Sequence, residues 1–372
     1  MIFIRTDANE EIATGHVMRC MTIGKELIKR GQRIRFLVSD KNSAMLLTRN
    51  HFEYIILDSQ WNQPDNKYEL EKIQTILQRS YEEEHKVPLL FVDSYFITNS
   101  YLKKLKPFAK LAVFDDLCRE VYDVDLLINY SFACDTYDYS NLYAGRDTRL
   151  ILGAQYAPLR AQFIEYSEKK QPKEKKKPFI HVLVICGGSD PLNILSKIVR
   201  AVSKESDFYR YQFHVVTGGY HSYFKELEYF NKTFHNITLY HNVENMAALM
   251  SECDIAITAG STVLYECCAM GLPAIFFIMA DNQKDSLFFV KNKSMIYAGD
   301  IRDNCECVIK NIVTSLRKLA LEDESRMRIS QQIRKIVDGK GTERIVNVFS
   351  RTFEIGSFFE EEIMKIKYGG GK

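Results

Sequence analysis

Short apolar runs alternate with longer segments whose apolar residues recur every three or four positions, and the alternation is played through twice along the chain. In the first half the runs are Ile2–Ile4, Ile34–Val38, Tyr54–Leu57, Leu89–Val92, Leu111–Phe114 and Leu126–Ile128. Runs this short and continuous predict strands buried on both faces, as in a parallel sheet covered by helices. Between the first two, Val17, Cys20, Met21, Gly24, Leu27 and Ile28 share one helical face and Gly31 closes the helix, which makes a βαβ unit. The pattern restarts with Phe179–Ile185 and continues through Phe213–Val216, Ile237–Leu239, Ile255–Ile257 and Ile275–Phe277. The predicted architecture is α/β, with two doubly wound, Rossmann-like parallel-sheet domains facing a cleft, over residues 1–168 and 179–320. A charged, Pro-flanked linker occupies 169–178. A helical extension over 321–372 is expected to cross back and brace the first domain, with a flexible tail from Tyr368.

Composition narrows the ligand. The chain has 372 residues, enough for two cores, and its 46% hydrophobic and 26% charged residues are those of a globular protein. A net charge of +2 is too small for a nucleic-acid binder, which leaves a small molecule as the expected partner. Nine cysteines without a CxxC build no zinc site and fit a reducing cytoplasm. The opening Met1–Asp7 reaches charge before a signal-peptide core can form. The most apolar run, Ala274–Ala280, is far shorter than the roughly 20 residues of a membrane span, so a buried strand is expected there and no stable membrane insertion.

Candidate chemistry gathers where strands give way to glycine turns and helices. Ala13-Thr14-Gly15-His16 follows the first strand and places His16 in the first turn of a helix. A helix N-terminus favours the neutral imidazole, the form a general base requires. Asp7, at the strand end, is placed either to fix the His16 tautomer or to bind a sugar hydroxyl or amide. Arg19, one turn on, reads as a salt-bridge or packing residue. Gly187-Gly188-Ser189 brings bare backbone amides and a hydroxyl towards an anion, and Ala259-Gly260-Ser261-Thr262 opens a second helix N-terminus. Two anion sites suit a diphosphate. Glu266, one turn along that helix, is placed to accept both hydroxyls of a ribose, and Asn282 and Gln283, after the last apolar strand, to bond the sugar or the diphosphate. Neither a Gly-x-Gly-x-x-Gly nor a Walker lysine is present, which counts against nicotinamide and ATP.

Taken in order, Arg5-x-Asp7-Ala8, Gly15-His16-Val17-Met18-Arg19-Cys20, Val92-Asp93-Ser94-Tyr95, Phe114-Asp115-Asp116, Leu152-Gly153 with Tyr156, Leu159-Arg160 and Phe163, Gly187–Asp190 and Ala280–Gln283 carry a resemblance. The chain resembles the UDP-2,4-diacetamido-2,4,6-trideoxy-β-L-altropyranose hydrolases of pseudaminic acid biosynthesis over roughly its first 300 residues. The second half is also similar to the peptidoglycan N-acetylglucosaminyltransferase, which shares the GT-B architecture. The resemblance implies hydrolysis of a UDP-linked diacetamido sugar with inversion. His16 would be the base, Asp7 and Tyr95 would line the sugar side, Arg160 would contact the diphosphate, Glu266 the ribose and Asn282 the nucleotide sugar, with no metal and no cofactor. One departure is Ala13, where family members carry glycine; a methyl group there narrows the pocket or alters the backbone path. A GT-B glycosyltransferase using a UDP-sugar donor, and a nucleotide-sugar-binding protein without turnover, are the alternatives.

Overall fold

The computed structural model describes residues 1–9, 12, 14–63, 66–169, 179–187, 190–218 and 223–354. Ala13, Gly188, Ser189, the linker from residue 170 and the tail from residue 355 lie outside the described residues. The chain divides into two compact units. One runs from Met1 to Pro158 and takes in the C-terminal stretch from Gly341, and the other is Leu159–Lys340.

In the first unit the strands are β1 (Ile2–Thr6), β2 (Ile34–Val38), β3 (Tyr54–Ile56), β4 (Leu89–Asp93), β5 (Lys110–Phe114), β6 (Leu126–Asn129) and β7 (Arg149–Leu152). They pair in parallel in the order β3-β2-β1-β4-β5-β6-β7. Alternate strand residues Phe3, Leu37, Leu90, Val92, Leu111, Val113 and Leu127 form one core face, covered by Leu70, Ile73 and Leu77 of the helix Lys67–Glu84. The helix Gly15–Lys29 buries Val17, Cys20, Met21, Gly24 and Leu27, as the spacing predicts, while Ile28 is exposed and Ile23 takes an inward place. Gly31 adopts the left-handed φ of 78° that ends this helix.

The C-terminal segment returns to this unit. The helix Gly341–Thr352 buries Ile345, Val346 and Phe349, and the Phe349 ring meets Phe91 of β4 edge-on at 5.3 Å. Its outer face is pinned by Arg30 donating to Asn347 at 2.6 Å and by Arg344 donating to the Gln155 carbonyl at 2.8 Å. Gly341 lies so close to the preceding chain that a Cβ would sit 2.1 Å from the Ala157 carbonyl.

In the second unit, β8 (Ile180–Ile185), β9 (Tyr211–Thr217), β10 (Ile237–His241), β11 (Ile255–Ala259), β12 (Ala274–Ile278) and β13 (Ile296–Asp300) pair in parallel in the order β10-β9-β8-β11-β12-β13. The helix Ala161–Lys169 belongs to this unit, so the division falls before it, at Pro158/Leu159. In each sheet the direction of winding reverses once, between β1 and β4 and between β8 and β11. Strand ends diverge at such a point and leave a crevice for a ligand. The three glycine turns singled out from the sequence follow strands of these pairs, β1, β8 and β11.

If the returning helix is part of the first core, Phe349→Ala should destabilise that unit by about 3–5 kcal/mol, the usual cost of emptying a buried aromatic site. A thermal melt with unchanged midpoints would show that the helix Gly341–Thr352 contributes nothing to the core.

Candidate active site

His16 is buried in the first helical turn after β1, and the neighbouring strand β4 ends on Asp93. Because β1 and β4 are adjacent, the two side chains meet: His16 Nδ1 lies 2.7 Å from Asp93 Oδ1. The Tyr95 ring packs edge-on against the imidazole with 4.3 Å between centroids. A small concavity opens beside them, lined by Asp7, Ile12, His16, Asp93, Ser94, Tyr95 and Phe96. The neutral tautomer that donates Nδ1–H to Asp93 leaves Nε2 as the nitrogen with a lone pair. Among the described residues Nε2 has no hydrogen-bond partner. A Cβ on Gly15 would meet nothing within 4 Å, so the described chain leaves open space at the turn before His16.

Asp93 is 1% exposed, and its other partners complete a buried charge cluster. Arg19 Nε donates to Oδ2 at 2.7 Å, and the Cys20 thiol lies 3.3 Å from the same oxygen. Burial alone would raise the carboxyl's pKa, but the Arg19 guanidinium and then His16 outweigh that and hold it well below the usual carboxylate range. Arg19 in turn donates to Asp116 at 2.8 and 3.1 Å and to the Tyr130 hydroxyl at 2.7 Å, and lies 4.3 Å above the Phe114 ring. The salt-bridge role expected of Arg19 is therefore the observed one.

The carboxylate at His16 is Asp93 and not Asp7. Asp7 Oδ1 accepts from the Ser39 amide at 2.7 Å and its hydroxyl at 2.8 Å, and Oδ2 is bound by the Arg5 guanidinium. Arg5 is itself buried against Glu69, with Nε donating to Oε1 at 2.9 Å. Burial works to lower the Arg5 pKa, but Asp7 and Glu69 outweigh it, and the net shift is upward. With this clamp Asp7 stays at the concavity as a fixed carboxylate, without a bond to His16. Asp93 stands 77 residues from His16, and although Val92-Asp93-Ser94-Tyr95 is one of the motifs that carry the resemblance, its pairing with His16 follows only from strand adjacency.

In the second unit the winding reversal brings the two predicted anion turns together. Gly187 holds a φ of 95°, which L side chains rarely adopt, and a Cβ there would lie 3.7 Å from Ser261 Oγ. Asp190 fixes the far side of the turn by accepting from the Ile194 and Leu195 amides at 2.9 and 2.8 Å. Ser261 and Thr262 lead into the helix Val263–Met270, whose first amides are taken up locally, Val263 by the Ser261 hydroxyl at 3.4 Å, Leu264 by the Ser261 carbonyl at 3.0 Å and Tyr265 by the Thr262 carbonyl at 3.1 Å. Behind Gly260 a Cβ would lie 2.6 Å from Ser286 Oγ, so the segment Asp281–Leu287 packs directly on that turn. Gln283 spends its Oε1 on the Met279 amide at 2.9 Å, while Asn282 is exposed. Arg160 and Glu266 form an ion pair at 3.3 Å. Burial raises the Glu266 pKa, and Arg160 only partly offsets it. Among the described residues no cluster of three His, Cys, Asp or Glu suits a metal ion, and no helix is long and apolar enough to cross a membrane.

Comparison with known proteins places these sites in context. Residues 182–340 match the glycosyltransferase family 28 C-terminal domain. Over 292 residues the chain is 26% identical to an uncharacterised protein of Methanocaldococcus jannaschii, covering 76% of this chain and 57% of that one, so it spans little more than half of that relative. Over 269 residues it is 28% identical to the UDP-2,4-diacetamido-2,4,6-trideoxy-β-L-altropyranose hydrolase of Campylobacter jejuni, covering 71% of this chain and 86% of that enzyme. The fold matches the crystal structure of Acinetobacter baumannii MurG with a TM-score of 0.63 at 11% identity, over 94% of this chain and 99% of that one. The chain is thus similar to the hydrolase its motifs resemble, and its fold is of the GT-B type, with two Rossmann-like parallel-sheet domains.

Asp93 gives these contacts a measurable pH signature. Its folded pKa lies below the unfolded value of about 3.9, so its contribution is complete above that value and is lost as pH falls through the folded one. Melts of the wild type should lose stability on acidification below about pH 4, and Asp93→Asn should flatten that loss while costing about 1–3 kcal/mol at neutral pH, because buried Arg19 loses one of its two carboxylate partners and keeps Asp116. Identical acid limbs in the two proteins would contradict the pairing.

Proposed function

We propose that this protein hydrolyses a UDP-linked 2,4-diacetamido-2,4,6-trideoxy sugar to UDP and the free sugar, with inversion at the anomeric carbon, as a step of pseudaminic or related nonulosonic acid synthesis. The observation that carries the reading is the 2.7 Å contact of His16 with Asp93 beside an open concavity at the winding reversal of the first sheet. The similarity to the Campylobacter jejuni hydrolase supports the choice of substrate.

In this mechanism His16 Nε2 takes a proton from water as the water oxygen bonds to the anomeric carbon. The bond from that carbon to the β-phosphate oxygen breaks, and its electron pair leaves with UDP. Asp93 accepts the Nδ1–H throughout, orients the ring and stabilises the imidazolium without becoming protonated itself. One base suffices because UDP, unlike the alcohol released by most glycosidases, needs no general acid. Tyr95 and the clamped Asp7 line the sugar side.

The second unit supplies the nucleotide contacts in this account. Gly187, Gly188 and Ser189 together with Ser261 and Thr262 present amides and hydroxyls to the diphosphate, where they stabilise the charge developing on the leaving group. Glu266 holds the ribose, and Arg160 turns from Glu266 towards the diphosphate, leaving Asn282 and Gln283 for the remaining polar groups of the nucleotide sugar. No metal or cofactor enters the scheme. All nine cysteines are free thiols, which supports a cytoplasmic location. The match to a glycosyltransferase C-terminal domain favours one competing reading, in which a sugar or another acceptor replaces water.

UDP release from the UDP-linked diacetamido-trideoxy-altrose, measured without acceptor or added metal, separates the two. Steady release supports hydrolysis, and tight UDP binding without release supports the transferase. His16→Ala should lower turnover by about 10²-fold or more with UDP affinity unchanged. Glu266→Ala should do the reverse, weakening UDP binding by about 10-fold or more, as expected for a lost pair of hydrogen bonds, and nearly sparing kcat. Equal losses of turnover and affinity in His16→Ala would make His16 a binding residue.

A further inference from the structure

The Asp93 carboxylate is buried with four bonds to its two oxygens: His16 Nδ1, Arg19 Nε and Nη2, and the Cys20 thiol. Of these donors only Arg19 carries a permanent charge, and it is set unusually firmly. Its guanidinium is held by Asp116 and by the Tyr130 hydroxyl, rests over Phe114, and reaches within 3.1 Å of His16 Nδ1 itself. These holds come from the ends of β5 and β6, so three consecutive neighbours in the sheet, β4, β5 and β6, converge on a residue from the helix after β1. A structural salt bridge does not require the fork of the arginine to share an oxygen with the candidate base.

We propose that Arg19 is a positioning residue that keeps His16 Nε2 unprotonated, by giving the buried Asp93 carboxylate a permanent cation so that it needs neither a proton nor an imidazolium. The inference rests on the reading of His16 as the base, and adds the reason it is poised to act as one. A buried carboxylate without a cation has two ways to lose its charge cost. It can take a proton and donate it to Nδ1, which moves the imidazole proton to Nε2. It can also draw a second proton onto the ring and form an imidazolium–carboxylate pair. In both, Nε2 carries hydrogen and its lone pair is gone. With Arg19 present, the carboxylate already has a cationic partner, shared with Asp116, and the nearby guanidinium opposes a positive charge on the ring.

The other groups around His16 do not replace Arg19. Asp7 and Asp116 are acidic, and Tyr95, Tyr130 and Cys20 are neutral donors; burial pushes the Tyr130 and Cys20 pKa values upward and keeps both protonated. Arg19 is therefore the one cation bonded to Asp93 among the described residues.

The test is the ¹⁵N NMR spectrum of the His16 ring at neutral pH, which distinguishes a protonated nitrogen from a bare one without any substrate. In the wild type Nδ1 should be protonated and Nε2 bare. In Arg19→Gln, Nε2 should be protonated and kcat should fall by about 10²-fold with KM little changed, as for loss of a general base. Arg19→Lys, which keeps the charge, should retain a bare Nε2. A folded Arg19→Gln with a bare Nε2, a protonated Nε2 in the wild type, or a protonated Nε2 in Arg19→Lys would each overturn the proposal. If Arg19→Gln does not fold, the wild-type and Arg19→Lys spectra decide it. Spectra as expected from a protein that releases no UDP would leave the role of Arg19 intact and reject hydrolysis alone.

Discussion

A carboxylate at the end of a central strand, 1% exposed, must be neutralised from within the protein, and the way Asp93 is neutralised organises the functional end of the first unit. The adjacency of β1 and β4 delivers His16 to one oxygen, and Arg19, one helical turn beyond His16, reaches both oxygens. Asp116 and Tyr130, carried by the next two strands, then fix the arginine. These partners converge because the strands that carry them are neighbours in one sheet, so the geometry around His16 is set by the sheet and the helix that follows β1. The same sheet is braced by the helix Gly341–Thr352, which reaches β4 through Phe349.

The second unit uses backbone where the first uses side chains. Gly187 and Gly260 are glycines for different reasons: one holds a left-handed φ, and the other has no room for a Cβ against Ser286. Both conditions arise where two turns meet at one winding reversal, the point at which the strand ends diverge. In the proposed reading these turns hold the diphosphate. Arg160 and Glu266 form an ion pair in the same unit, and in the proposed reading each exchanges that partner for the nucleotide.

Much of this was readable in the sequence. Continuous apolar runs disclosed the central strands, and strand-to-glycine-to-helix junctions disclosed His16 and the turns of the second unit. The two strands that escaped notice, β7 and β13, lie at sheet edges, are half exposed, and in β13 include Gly299, so neither forms an unbroken apolar run. The partner of His16 escaped for another reason. Sequence order places Asp7 near His16, whereas sheet order places Asp93 there, and only the reversal of winding between β1 and β4 makes the distant residue a neighbour. Asp7 instead answers Arg5, a buried cation whose second partner, Glu69, comes from a helix that gave no sign of a functional role.

In the proposed reading these features serve a chemistry that needs one base and a stabilised leaving group. The most direct trial of that account follows the oxygen: turnover of the UDP-linked diacetamido-trideoxy-altrose in H₂¹⁸O, with mass spectrometry of both products and NMR of the newly formed anomer. Attack of His16-activated water at the anomeric carbon predicts ¹⁸O in the sugar, none in UDP, and an inverted anomeric configuration at first turnover. Label in UDP, or retention of configuration, would contradict it.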